Sequence, residues 1–127
     1  MKTILSTDQA PKAIGPYSQG VCIGDLFFLS GQIPLDPATG NLVPGDVAAQ
    51  TERVLDNIAA VLASQALEFR HVVKTTIFLV DLADFAQVNE LYGRRFPADP
   101  PARSTVQVAA LPRGSRLEIE VVAHRNA

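Results

Sequence analysis

The run 72–80 (VVKTTIFLV) constrains this chain most. It is rich in β-branched and aromatic residues, and both of its alternating faces are largely apolar. That is the pattern of an interior strand covered on both sides. A strand of this kind needs other strands at its edges and a layer above its face, and the remaining segments supply candidates for each.

Upstream, 20–23 (GVCI) and 26–29 (LFFL) are short apolar runs separated by Gly24-Asp25, which reads as a hairpin with a two-residue turn. The stretch from Pro34 to Asn41 is dense in turn formers, with Pro44-Gly45 close behind, and predicts a long loop. Asp46 is a fitting N-cap for a helix to about residue 66, because Val47, Val54, Leu55, Ile58, Val61 and Leu62 form an apolar stripe. Acidic Asp81 and Asp84 open a second amphipathic helix carrying Phe85, Val88, Leu91, Tyr92 and Phe96, which Pro97, Pro100 and Pro101 end. Two further strands, about 103–109 and 116–124, flank a turn at 111–115. The order strand, strand, helix, strand, helix, strand, strand is that of an α+β fold with two helices packed on one sheet face.

At 127 residues, the chain fits a single domain spanning 1–127 with one core. Its net charge of −2 and lack of a basic patch exclude the electrostatic footprint of a nucleic-acid binder. The one adjacent basic pair, Arg94-Arg95, falls at a helix end, where it complements the helix dipole. Residues 1–10 lack the apolar core of a secretion signal, and nothing approaches the ~20 apolar residues of a membrane span. A cytoplasmic protein is expected. Cys22 is the sole cysteine, so no internal disulfide forms, and its apolar setting reads as packing. His71 and His124 have no metal-ligand spacing, so packing or surface roles are expected and no metal site is.

Alternation along the last two strands turns Val106 and Val108, and Leu117, Ile119, Val121 and Ala123, toward the helices. It turns Arg103, Thr105 and Gln107, with Arg116, Glu118 and Glu120, to the opposite side. That side is either a solvated sheet face or a site. Arg103 follows Pro100-Pro101-Ala102, a stiff approach, and a guanidinium can clamp a carboxylate through two parallel hydrogen bonds. Glu118 could activate a water if its surroundings raised its pKa. If the two strands form a simple hairpin, Glu118 lies opposite residue 108, about 16 Å along the strands from residue 103. A site built between subunits is therefore expected.

Five stretches carry a more specific signal: AIGPYSQG from Ala13, LSGQIP from Leu29, VKTT from Val73, PARSTV from Pro101 and LEIE from Leu117. Together, in this order and spacing, they resemble the Rid family (reactive intermediate deaminases, also YjgF/YER057c/UK114), and its RidA subgroup in particular. The resemblance implies a chorismate-mutase-like (bacillus type) mixed sheet with two helices on one face, assembled as a homotrimer with ligand clefts between subunits. It implies cofactor-free hydrolysis of 2-imino acids, such as 2-iminopropanoate and 2-iminobutanoate, to 2-keto acids and ammonia. These are damage products of pyridoxal-phosphate dehydratases. By position, Arg103 matches the carboxylate-binding arginine, Glu118 the glutamate at the attacking water, and Tyr17 a tyrosine lining the cleft. Ser30 and Gly31 match a Ser-Gly pair beside the pocket. Thr105 stands where many members carry cysteine, so a thiol there is not essential, and its hydroxyl and backbone are expected to preserve binding.

Two other readings compete. A trimeric module that binds small carboxylates or proteins without turnover would use the same clamp. An endoribonuclease, a label some relatives carry, fits poorly with the acidic charge and the absence of a paired-histidine or metal-carboxylate motif.

Overall fold

The computed structural model describes residues 1–127. Six strands form one sheet: β1 (Thr3–Leu5), β2 (Gly20–Ile23), β3 (Leu26–Gln32), β4 (Val72–Leu79), β5 (Ala102–Gln107) and β6 (Leu117–His124), in the order β1-β2-β3-β6-β4-β5. Two helices, α1 (Val47–Ala63) and α2 (Phe85–Arg95), connect β3 to β4 and β4 to β5. All pairings are antiparallel except β4 with β5. A parallel neighbour requires a crossover, and α2 supplies it.

The hairpin β2–β3 turns at Gly24-Asp25 as expected, with Ile23 paired to Leu26 and Gly24 at φ +58°, a left-handed conformation that glycine adopts without a Cβ penalty. Asp46 caps α1 by accepting a hydrogen bond from Ala49 N at 3.0 Å, an interaction worth about 1 kcal/mol. Thr3–Leu5 is a short edge strand that the sequence pattern did not reveal.

Both helices cover the same sheet face. Val54, Leu55, Ile58, Val61 and Leu62 of α1, with Val88 and Tyr92 of α2, join Phe27, Leu29, Ile77, Leu79, Leu117, Ile119, Val121 and Ala123 in one core. Burying a side chain of this size contributes about 1.5–3 kcal/mol. The opposite face is not covered by the chain itself: Phe28 and Val106 are exposed there, alongside half-buried Phe78 and Val122. Within one chain, β4 is therefore covered on the helix side.

Two expectations about the last strands are corrected. They do not form a hairpin, because β4 lies between β5 and β6 and pairs with both. Nor do their polar residues share a face. Arg103, Thr105 and Gln107 pair with Thr75, Ile77 and Leu79, which are buried, so these three point to the helix side. Val106 faces the uncovered side together with Glu118 and Glu120. Polar residues are tolerated on the helix side because β5 is the outermost strand and meets the turn before α2 and the polar flank of α2: Gln107 Oε1 accepts from Leu82 N at 2.9 Å, and Arg103 reaches Asn89.

Candidate active site

The residues expected to form a site fall into two groups on opposite faces of the sheet. The first is centred on Arg103. Its Nη1 donates to Asn89 Oδ1 at 2.7 Å, and its guanidinium lies over the rings of Tyr92 and Phe85, 5.0 and 5.4 Å from their centroids. The negative π faces attract the cation. No carboxylate pairs with it. Beside it opens a cavity of about 410 Å³ lined by Asn89, Tyr92, Pro100, Pro101 and Arg103, among others. The Tyr92 ring is itself fixed, since its hydroxyl and Thr75 Oγ1 share a buried hydrogen bond of 2.8 Å. Burial pushes the Tyr92 phenol up, against the opposing pull of the Thr75 bond and the Arg103 charge.

Two residues further along the same strand face, Thr105 Oγ1 is buried and has no hydrogen-bond partner. An orphaned hydroxyl in such a position costs about 1–3 kcal/mol.

The second group gathers Tyr17, Ser30, Gly31 and Glu118. A register shift in β3 between Leu29 and Gln32 marks a bulge at Ser30-Gly31. A Cβ at residue 31 would collide with the Glu118 carboxyl, so only glycine permits this approach. Burial raises the Glu118 pKa above the usual carboxylate range, and neighbouring Glu120 raises it further. A raised pKa makes the carboxylate a stronger base. Ser30 Oγ donates to Ser18 O at 2.5 Å, which commits its proton to the backbone and leaves lone pairs free. Tyr17, exposed, lines a groove of about 610 Å³ with Ser30 and a smaller hollow with Gly31. The segment carrying Tyr17 is tied down by Gln19, whose buried amide bonds Thr7, Ala10 and Pro11.

A single chain thus does not bring Arg103 and Glu118 together. Arg116, two residues before Glu118, pairs with Asp84 at 2.9 Å. The two histidines do local work, each accepting a backbone N–H through Nδ1. No cluster of three or more His, Cys, Asp or Glu side chains is gathered anywhere, and no helix is long and apolar enough to cross a membrane. Asn89 and Tyr92 were missed as site residues. Their signal was the 85, 89, 92 spacing, which places three side chains on one helix flank.

Residues 7–125 match the family model described as Endoribonuclease L-PSP. The chain is 64% identical over 121 residues to protein DfrA of Myxococcus xanthus, covering 94% of this chain and 92% of that one. It is 48% identical over 123 residues to the mouse protein named 2-iminobutanoate/2-iminopropanoate deaminase, covering 97% and 91%. Among solved structures, Escherichia coli TdcF with bound serine superposes with a TM-score of 0.92 at 46% identity, covering 97% of this chain and 98% of that one. The family model, spanning nearly all of the sequence, and relatives of this identity agree with the motifs around Tyr17, Gly31, Arg103 and Glu118: the chain belongs to the Endoribonuclease L-PSP (YjgF/Rid) family.

Proposed function

We propose that the protein hydrolyses 2-imino acids to 2-keto acids and ammonia, in a homotrimer whose sites pair the Arg103 group of one subunit with the Glu118 group of its neighbour. The observation that carries this reading is a guanidinium without a carboxylate partner, set beside an open cavity, in a chain whose one clearly perturbed carboxyl lies on the other sheet face. Each group is half of a site. The uncovered face, with Phe28 and Val106 exposed, gives a second copy an apolar surface to cover. The mouse relative's name and the serine bound to TdcF, a small amino acid with a carboxylate, point to the same substrate class.

In this reading Arg103 binds the substrate carboxylate, with Thr105 two residues along the same strand face. Glu118 takes a proton from water as the oxygen attacks the imine carbon, giving a carbinolamine. It returns that proton to nitrogen and then relays the carbinolamine hydroxyl proton to nitrogen as well, so that C=O forms as the C–N bond breaks and ammonia leaves with the keto acid. Tyr17 borders the cleft on the Glu118 side, and the Ser30-Gly31 bulge shapes its wall. Because imines hydrolyse unaided in water, positioning plus one base, together worth roughly 10²–10⁴-fold or more, is enough. No cofactor enters these steps. The proposed setting is the cytoplasm.

The test generates 2-iminobutanoate with a threonine dehydratase and follows 2-oxobutanoate formation with and without the protein. Acceleration that disappears in Arg103→Ala supports the reading. Tight 2-oxobutanoate binding with no acceleration would replace it with a carboxylate-binding module.

A further inference from the structure

We propose that Asn89 is the positioning residue for Arg103, and that its neutrality is what the site requires: it aims the guanidinium while leaving the positive charge for an incoming carboxylate. The inference rests on the proposed role of Arg103 as a carboxylate clamp.

The chain anchors its other arginines in two ways: Arg53, Arg113 and Arg125 donate to the neutral oxygens of Asn57, Gly40 and Gln65, whereas Arg95 and Arg116 are held by carboxylates. Arg95 lies over the Phe69 ring at 5.6 Å and is held by Glu52 and Asp56 at 3.1 and 2.8 Å. Arg116 is held by Asp84 at 2.9 Å. In both, the anchor is anionic and largely cancels the charge. Arg103 has an aromatic support like that of Arg95, but the anchoring oxygen at 2.7 Å belongs to an amide. Phe85, Asn89 and Tyr92 recur at i, i+4 and i+7, so one flank of α2 builds the whole cradle. Rings and amide attract a cation through a quadrupole and a dipole, and neither adds net charge. Tyr92 is locked by Thr75, so the cradle is rigid on its sheet side. The guanidinium is consequently fixed at one nitrogen and stacked on its flank, while its remaining donors face a cavity with space for a small acid.

An aspartate at position 89 would keep the size and the acceptor oxygen but add a competing anion. A substrate carboxylate would then have to share or displace it. For an exposed pair the expected weakening is about 1.5- to fivefold in affinity. At saturation, once the competitor is displaced, kcat should change little. An alanine at 89 removes the aim but not the charge, so it should lower kcat more than it weakens binding. Asn89 is exposed, so neither change threatens the core.

The experiment measures imine hydrolysis and, by calorimetry, the affinity for 2-oxobutanoate in the wild type, Asn89→Asp and Asn89→Ala. The inference predicts that Asn89→Asp raises KM and the 2-oxobutanoate Kd in parallel with kcat kept, while Asn89→Ala loses mainly kcat. An Asn89→Asp protein that binds 2-oxobutanoate as tightly as wild type overturns it, because an isosteric change would then matter only to helix packing. A wild type that binds the keto acid without hydrolysing imine overturns the proposed function alone, and the affinity ratio then decides the inference. A wild type that does neither overturns both.

Discussion

The two halves of the candidate site are built by opposite means. On the helix side, Arg103 is held by attraction, from the Asn89 amide and two aromatic rings, and stays free of any carboxylate. On the uncovered side, Glu118 is held by fit, pressed into the space that Gly31 leaves by having no side chain. Its surroundings disfavour its charged form. One half advertises a charge and the other suppresses one. Within a single chain neither has its complement, and this contrast is the physical case for an assembled site.

The contrast can be broken most severely at the cation. Arg103→Ala should reduce kcat/KM by roughly 10³-fold, and Arg103→Lys should recover only part of it, because an ammonium cannot form the two parallel bonds. Coupled imine hydrolysis measures both. At the carboxyl, Glu118→Gln should cost about 10²–10³-fold, chiefly in kcat, since it deletes the base but not the clamp. A change in KM alone would show that Glu118 binds rather than reacts.

Gly31→Ala asks whether fit is what holds Glu118. The added methyl must displace the carboxyl, so activity should fall about tenfold or more while binding of 2-oxobutanoate at Arg103 changes less. Smaller still is the pH effect. Burial and Glu120 both raise the Glu118 pKa, so its basic form is lost, as pH falls, at a higher pH than for an ordinary glutamate. Removing the neighbouring charge with Glu120→Gln should move the acid limb of the kcat profile to lower pH. An unmoved limb would assign it to another group.

Local patterns revealed much of this molecule. The Gly24-Asp25 hairpin, the capped α1 and the proline-terminated α2 follow from turn chemistry and periodicity, and the Gly31 and Glu118 motifs marked half of the site. The strand order was not legible. Inserting β4 between β5 and β6 is a long-range choice that no local period encodes. The face of Arg103 is not legible for a related reason: alternation fixes which residues share a face, but not which face meets the helices. At the sheet margin a polar set can meet them, since Asn89 and the Leu82 N–H satisfy Arg103 and Gln107 there. β1 was too short, at three residues, to carry a pattern.

The most direct measurement mixes subunits. Arg103→Ala and Glu118→Gln proteins, each inactive, are unfolded together in equal amounts, refolded and assayed. If each site joins Arg103 of one subunit to Glu118 of the next around a three-fold ring, every mixed trimer regains one intact site, and activity should return to about one quarter of wild type. A mixture no more active than its two parents, in assemblies proven to be mixed, would contradict the account.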